Sequence, residues 1–319
     1  MHGESDTQID SILDTEGTTM SMAIMPSEII TLLPFELYYV IREFTGVVDF
    51  NTFLLTSSSL YRFCAKDLYY WRIKPSRFHQ VYRMLSDGGM SKFYSNPSFQ
   101  LSLKISPSED LSLLDLIPLG LVHSLDFSRC RGVVDVSALG SVHSLKLCGC
   151  SGVVDVSALG SVHSLNLYGC SGVIDVSALG SVHSLNLTNC SGVVGVSALG
   201  SVHSLNLYGC RGVVDVSALG SVHSLNLSYC SGVVDVSALG SVHSLNLTNC
   251  SGLVNVSALG SVHTLDLSHC VGVVDVSALG SVHTLNLYGC RDLVDVSALG
   301  SVHTLDLSHC VGVVDVSAL

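Results

Sequence analysis

Cysteine, histidine and aspartate each recur at a fixed spacing from residue 119 onward, and these residue types can bind metals or transfer protons. Thiolates and imidazoles bind transition metals, imidazole titrates near neutral pH, and carboxylates bind calcium. The cysteines are Cys130, Cys150, Cys170, Cys190, Cys210, Cys230, Cys250, Cys270, Cys290 and Cys310. The histidines are His123, His143, His163, His183, His203, His223, His243, His263, His283 and His303. The aspartates are Asp135, Asp155, Asp175, Asp215, Asp235, Asp275, Asp295 and Asp315, with Gly195 and Asn255 in the two remaining places.

Straight columns of like side chains favour structural roles, although metal binding and a pH switch remain the alternatives. Neighbouring cysteines would lie about 5 Å apart, within disulfide reach, but a column does not surround an ion tetrahedrally. We therefore expect buried, reduced thiols. We expect the histidine rings to stack at the strand entrance, with pKa values below about 6.5 because charged neighbours repel. We expect the aspartates to accept hydrogen bonds from turn amides, a role that Asn255 could share.

No arrangement in the sequence is typical of an active site. Ser, His and Asp are abundant, but they recur in every unit and none is unique to a pocket. The sequence contains neither a phosphate-binding loop nor a dinucleotide-binding fingerprint. We therefore expect a non-enzymatic protein with no catalytic residue, no metal and no cofactor.

The elements that would position these columns come from a 20-residue repeat. Ten units run from 119 to 318, and residues 97–118 are interpreted as a degenerate first unit. A unit of this length is too short for a strand, two turns and a full α-helix, so the return side should be extended or 3₁₀. Stacked units, with parallel strands about 4.8 Å apart, would bury seven apolar side chains each. In the unit 159–178 these are Leu159, Val162, Leu165, Leu167, Cys170, Val173 and Val176.

Within that unit the local signals place a strand and two turns. Residues 163–167 alternate polar and apolar side chains, which predicts a strand with one buried face. Gly172 is expected where the chain turns inward with an unusual φ. Ser177 is expected to cap a short helical turn, which a glycine such as Gly160 then ends.

The spacing Val-x-x-Leu-x-Leu-x-x-Cys-x-x-Val resembles the leucine-rich repeat in its cysteine-containing variant, and it covers all ten units. The tail of each unit, as in residues 175–179, resembles the short internalin-type repeat. The resemblance implies a solenoid of parallel strands. A parallel β-helix is the structural alternative, because residues 173–176 could form a second strand.

Composition excludes several classes of protein. The formal net charge is −12, with 13% charged and 48% hydrophobic residues. The chain is too apolar for intrinsic disorder and too acidic for a general binder of nucleic acid or anionic membranes. No apolar run reaches the roughly 18–20 residues of a membrane span, and the first residues lack a secretory signal. We expect a cytoplasmic or nuclear protein, in the host cytoplasm if it is viral.

The first hundred residues follow a different pattern. Residues 1–27 are acidic, rich in Ser and Thr and aperiodic, so we expect a disordered tail. Helical spacing of apolar residues predicts a small helical domain over 28–75 and a helical connector over 76–96. The predicted fold class is α+β, with a parallel-strand leucine-rich-repeat solenoid over 97–319 after the helical domain.

The helical domain resembles an F-box in its opening Leu-Pro-x-Glu-Leu followed by Ile and Phe. The resemblance implies docking onto the Skp adaptor of a cullin ubiquitin ligase, with the repeats recruiting a protein substrate. The adaptor-binding residues it implies are Leu33, Pro34, Glu36, Leu37, Ile41 and Phe44. The alternative is a leucine-rich-repeat scaffold or decoy without ligase association. An adhesin-like ligand binder is disfavoured by the absent signal and the many cysteines.

Variation between units is concentrated at the two residues after Leu-x-Leu and at the residue after Cys. These positions continue the outward face of the strand, and Tyr and Arg are the residues that most often carry interface energy. Drift in a tolerant turn is the alternative explanation. The predicted partner-binding residues are Asn166, Tyr168, Asn206, Tyr208, Arg211, Tyr229, Tyr288 and Arg291.

Overall fold

A computed structural model describes residues 10–13, 19–22, 68–72, 100–105 and 116–319. These residues fall in two compact units. The first contains strands β1 (Asp10–Leu13) and β2 (Thr19–Met22) and most of β3 (Leu68–Arg72), and the second contains the repeats. No helix in the described ranges combines the length and the apolar character that crossing a bilayer requires.

The first unit is described only through its strands. β1 and β2 pair antiparallel, with Asp10 opposite Met22, inside the segment for which the sequence predicts a disordered tail. β3 has the sequence Leu-Tyr-Tyr-Trp-Arg, whose aromatic residues favour an extended backbone over the helix expected there. The F-box-like residues and the connector 76–96 lie outside the described residues, so the domain boundaries stay predictions.

The second unit is a solenoid built on one short strand per repeat. Each strand pairs parallel with its counterpart in the next repeat, as in Ser164 opposite Ser184. β4 pairs with β5 in the same way, with Ser102 opposite Ser124, so the segment interpreted as a degenerate first unit contributes a strand to the same sheet. The strands are β4 (Gln100–Lys104), β5 (Ser124–Asp126), β6 (Ser144–Lys146), β7 (Ser164–Asn166), β8 (Ser184–Asn186), β9 (Ser204–Asn206), β10 (Ser224–Asn226), β11 (Ser244–Asn246), β12 (Thr264–Asp266), β13 (Thr284–Asn286) and β14 (Thr304–Asp306).

The core runs continuously along the solenoid, as the apolar spacing predicts. In the unit 159–178 all seven predicted positions are at most 1% exposed. Phe127 takes the place of the second strand leucine in the first unit and is fully buried. One unit cannot cover its own apolar face, so this burial is supplied by the units above and below.

The return side carries short 3₁₀ segments and no second strand within the described repeats. Residues 173–176 have no regular secondary structure and form no ladder with their neighbours, so the β-helix alternative is wrong. The 3₁₀ segments are Ile117–Leu121, Ser137–Leu139, Ser157–Ser161, Ser177–Ser181, Ser197–Ser201, Ser217–Ser221, Ser237–Ser241, Ser257–Ser261, Ser277–Leu279 and Ser297–Leu299.

Three local predictions need correction. Ser177 does not cap the 3₁₀ segment, because it is the first residue inside it. The residue before the segment is Val176, which makes no side-chain capping hydrogen bond. Gly160 lies within its segment instead of ending it. Gly172 does not have a positive φ; a Cβ there would lie 3.0 Å from the carbonyl oxygen of Val153, so its role is close approach to the preceding coil.

Candidate functional site

The turn that leaves each strand holds one residue in the left-handed region in all ten units. Its φ lies between 56° and 71°. Glycine adopts this region freely, whereas a bulky side chain there is unusual. The ladder continues through the turn, because the N–H of Asn189 donates to the carbonyl of Tyr208 at 2.8 Å. The residues in this position are Arg129, Gly149, Gly169, Asn189, Gly209, Tyr229, Asn249, His269, Gly289 and His309.

The size of this residue is coupled to the size of the residue before it. Every glycine follows Tyr or Cys, as in Tyr208-Gly209, and every larger residue follows Ser or Thr, as in Ser228-Tyr229. The small residue of the pair is buried in three units, where Thr188, Ser228 and Ser268 are at most 8% exposed. In nine of the ten turns one of the two residues is therefore asparagine or larger and the other is Gly, Ser or Thr, and the exception is Cys148-Gly149.

Two aromatic clusters form along this line of turns. The rings of Tyr208 and Tyr229 meet at 4.9 Å between centroids with a 47° tilt. Tyr288 contacts His269 at 5.1 Å and His309 at 4.9 Å, both edge to face. Sequence reasoning missed the two histidines, although they occupy the same variable position as Tyr229. Tyr168 has no ring partner among the described residues and is 47% exposed.

The predicted asparagines shape the turn from within the strand. Asn166 and Asn206 are half-buried, and their Oδ1 atoms accept the backbone N–H of Tyr168 at 3.0 Å and of Tyr208 at 2.9 Å. A short polar side chain that accepts from the backbone two residues on stabilises such turns. We conclude that these asparagines act as positioning residues for the tyrosines.

The predicted arginines lie in the turn that follows the column cysteine of their unit. Arg211 and Arg291 are exposed, each shortly after a cluster tyrosine in the chain, namely Tyr208 and Tyr288. The salt bridge seen in the described ranges is elsewhere, between Lys104 and Asp126 at 3.0 Å. Both guanidinium groups are therefore available to an incoming acidic or aromatic group.

The cysteine column lies in the core and forms no disulfides. The Sγ of Cys170 donates to the carbonyl oxygen of Leu147 in the preceding unit at 3.0 Å, and the same bond recurs from Cys150 to Cys310. Burial raises the pKa of the Cys210 thiol to about 12. These groups stay protonated at neutral pH and are poor metal ligands. Within the described ranges no set of three or more His, Cys, Asp or Glu side chains is arranged to hold a metal ion.

The histidine column stacks at the strand entrance, as predicted. Neighbouring rings are 4.5–4.7 Å apart between centroids and within 16° of parallel. Desolvation and the charge of His143 lower the pKa of His123. Desolvation, then the charges of His283 and His243, lower the pKa of His263. Stacked rings present their lone pairs side by side and not toward one point, which does not suit a tetrahedral ion.

The aspartate column serves the return turn. The Oδ1 of Asp175 accepts the N–H of Ser177 at 2.9 Å, and Asn255 accepts the N–H of Ser257 at 3.0 Å. The predicted role of the aspartates, including its substitution by Asn255, is confirmed. Hydrogen bonds from Ser177 lower the pKa of the exposed Asp175 carboxyl.

Comparisons with known proteins give similarity of architecture at low identity. No family model and no curated protein matches the chain. An internalin, InlF, from Listeria monocytogenes is similar at 19% identity and a TM-score of 0.49, over 60% of this chain and 62% of that one. The functional domain of InlJ from the same species, described as including a cysteine ladder, is similar at 16% identity and a TM-score of 0.41, over 68% of this chain and 55% of that one. A leucine-rich-repeat protein of Leptospira interrogans is similar at 13% identity and a TM-score of 0.32, over 75% of this chain and 88% of that one. The chain thus spans less than two thirds of the length of either internalin.

Proposed function

We propose that this chain is a non-enzymatic scaffold that binds a protein partner through the turn surface, defined as the predicted partner-binding residues together with His269 and His309. The coupling of large and small residues carries the proposal, because it places one large side chain on nine of the ten turns. Tyrosines that contact aromatic rings of neighbouring coils, with exposed arginines in the same units, have the composition of an interface centre.

The turn surface is held by hydrogen bonds within the chain, and preorganisation of this kind lowers the entropic cost of binding. Its backbone continues the ladder, as in the bond from Gly209 N–H to Ser228 O at 2.9 Å. Its tyrosines follow asparagines that fix the turn, and the Tyr208 ring rests on Tyr229. A tyrosine side chain has only two torsions to order on binding.

A second part of the proposal is that the chain recruits this partner to a Skp–cullin ubiquitin ligase. The support is the Leu-Pro-x-Glu-Leu opening at Leu33–Leu37, upstream of a repeat surface suited to selecting a substrate. The competing possibility is a scaffold or decoy without ligase association.

The binding proposal is tested by capture with the full chain. A variant carrying Tyr208→Ser, Arg211→Ser, Tyr229→Ser, Tyr288→Ser and Arg291→Ser is compared with wild type by quantitative mass spectrometry in cells that express each. We expect at least one protein enriched by wild type to be lost from the variant. A control with Ser161→Thr and Ser201→Thr, exposed on the return side, should retain it. Identical captured sets from all three chains would refute the turn surface.

The ligase proposal is tested separately with purified Skp adaptor and the full chain. We expect binding by wild type and by the turn-surface variant, and loss with Leu33→Ala/Pro34→Ala. Circular dichroism of each variant controls for folding. Adaptor binding that is absent in wild type would favour the scaffold or decoy.

A further inference from the structure

A column of branched apolar side chains lies exposed on the return side of the solenoid. Each of these residues directly precedes the aspartate position, as Ile174 precedes Asp175. Each has 50–88% of its surface exposed. The residue before it, such as Val173, is buried in the core. The exposed residue itself contributes nothing to the core. The column comprises Val134, Val154, Ile174, Val194, Val214, Val234, Val254, Val274, Val294 and Val314. Large apolar surfaces of this kind mark interaction sites in folded proteins.

The column is continuous with the aspartates. A Cβ on Gly192 would lie 3.1 Å from Cγ1 of Ile174, so glycine lets the branched side chains from Val134 to Val254 rest on the next coil. Shallow depressions between coils are lined by both residue types, one of them by Val154, Asp155, Ser157, Ile174, Asp175, Ser177 and Ala178. A second depression repeats this lining one unit earlier. We call the branched column together with the eight aspartates the valine–aspartate face.

This face is acidic and carries no positive charge of its own among the described repeats. Hydrogen bonds from the serine two positions on hold the pKa of each of its aspartates below the usual value, so all are ionised at neutral pH. The ten units contain twelve carboxylates against five lysines and arginines. All five cations belong to strand or turn positions, namely Arg129, Arg131, Lys146, Arg211 and Arg291.

We propose that the valine–aspartate face docks a basic amphipathic helix of a protein partner. Charge selects this occupant, because a second copy would bring two rows of carboxylates together, and nucleic acid or an anionic bilayer would be repelled. Geometry agrees, because a helix repeats its apolar stripe about every 5.4 Å and the coils repeat about every 4.8 Å. Apolar side chains of the helix lie on the valines, and flanking lysines or arginines meet the aspartates. This site is separate from the turn surface.

The probe is an 18-residue helical peptide with a leucine stripe flanked by lysines, carrying a fluorophore, titrated with the full chain by anisotropy. A matched peptide with glutamate for lysine is the first control. We expect saturable binding of the lysine peptide that weakens between 50 and 500 mM NaCl, and no binding of the glutamate peptide. Equal binding of both peptides would overturn the proposal.

Two pairs of variants locate the site. Val194→Thr, Val214→Thr, Val234→Thr and Val254→Thr together keep the branched shape and should weaken binding by at least about tenfold. Asp215→Asn/Asp235→Asn keeps a turn hydrogen bond of the kind that Asn255 makes. This pair should weaken peptide binding several-fold. Asp266→Asn/Asp306→Asn removes the same charge from strand positions, where asparagine is common, and should leave binding unchanged. Equal losses from both aspartate pairs would show attraction by net charge alone and overturn the site.

Sedimentation velocity of the full chain tests whether a second copy of the chain occupies the valine–aspartate face. We expect the same sedimentation coefficient for wild type and the four-threonine variant. A dimer that this variant dissociates would assign the face to a second copy and overturn the proposal.

Discussion

The carbonyl oxygen of Ala198 faces the α-carbon of Gly180 so closely that a Cβ on Gly180 would lie well under 3.0 Å from it. The same approach recurs between each unit and the next along the solenoid, from Gly120 to Gly300. The obstructing atom is backbone, so no side-chain rotation can relieve the clash. This glycine therefore sets how closely neighbouring coils can stack on the return side.

Replacing Gly180 with alanine should destabilise the solenoid. The added methyl group must push two coils apart inside a close-packed stack, a change that typically costs about 1–3 kcal/mol. We expect the midpoint of urea unfolding, followed by circular dichroism, to fall accordingly.

Gly195→Ala is the matched control, because a Cβ on Gly195 meets nothing within 4 Å and its φ is not positive. We expect its free energy of unfolding to stay within about 0.5 kcal/mol of wild type. Equal destabilisation by the two substitutions would contradict the role assigned to Gly180.

Much of the solenoid could be predicted from periodicity, because alternation and a fixed repeat dictate which side chains face inward. The roles of the glycines could not be predicted in the same way. Gly180 is constrained by Ala198 of the next unit, and Gly169 by a φ of 68° that the sequence does not display. The first constraint arises only once coils are stacked, and the second is one that other units satisfy with Asn, His or Tyr, so a prediction from one unit alone places the special φ at Gly172.

Cys148 should be the cysteine of the repeats that reacts in the native chain. It is half-buried, whereas the ten column thiols are at most 7% exposed and burial raises the pKa of Cys170 and Cys250 to about 12. Only thiolate reacts with disulfide reagents, so a buried, protonated thiol is protected. In a Cys64→Ser background, we expect one thiol per chain to react with a chromogenic disulfide before denaturant is added.

Adding Cys148→Ser to that background should abolish the native reaction, and guanidinium should then expose ten thiols. Fast labelling of several column thiols without denaturant would mean that the coils open readily. Fewer than ten thiols after unfolding would point to disulfides within the column.

Asn206→Ala should destabilise the turn that carries Tyr208. The substitution leaves the Tyr208 N–H without the acceptor it now meets at 2.9 Å, a loss of about 0.5–1.5 kcal/mol. Asn206→Asp should stay near wild type, because Asp266 accepts the N–H of Ser268 at the same distance in its own unit. Urea unfolding of the three chains measures the difference, and equal stability of Asn206→Ala and wild type would contradict it.

The composition of the turn surface was accessible from the sequence, but its pairing was not. Tyr and Arg stand out among the variable positions, which is why Tyr208, Tyr229 and Arg211 were predicted to bind a partner. The contact of Tyr208 with Tyr229 joins different positions of neighbouring units, so it depends on which way each turn projects its ring. Tyr288 likewise meets His269 and His309, which a search for Tyr and Arg passes over.

Acid should destabilise the solenoid through the histidine column. The pKa of His263 is lowered in the folded chain, so the unfolded chain binds more protons below about pH 6.5, and folding loses free energy as the pH falls. The aspartates with lowered pKa values add no opposing change between pH 5 and 7.5, because they remain ionised across this range. We expect a lower melting temperature at pH 5 than at pH 7.5, measured by scanning calorimetry.

Removing every second ring locates the cause of this pH dependence. In a chain with His183→Gln, His223→Gln and His263→Gln, three titrating rings are gone and those that remain in that stretch are two coils apart, so they are less desolvated and their charges repel less. The difference in melting temperature between pH 5 and pH 7.5 should therefore be smaller than in wild type. Glutamine replacements at His269 and His309, which lie outside the stacked column, leave the nine ring contacts intact and should preserve the full difference. An equal or higher melting temperature at pH 5 in wild type would remove the argument for repulsion along the column.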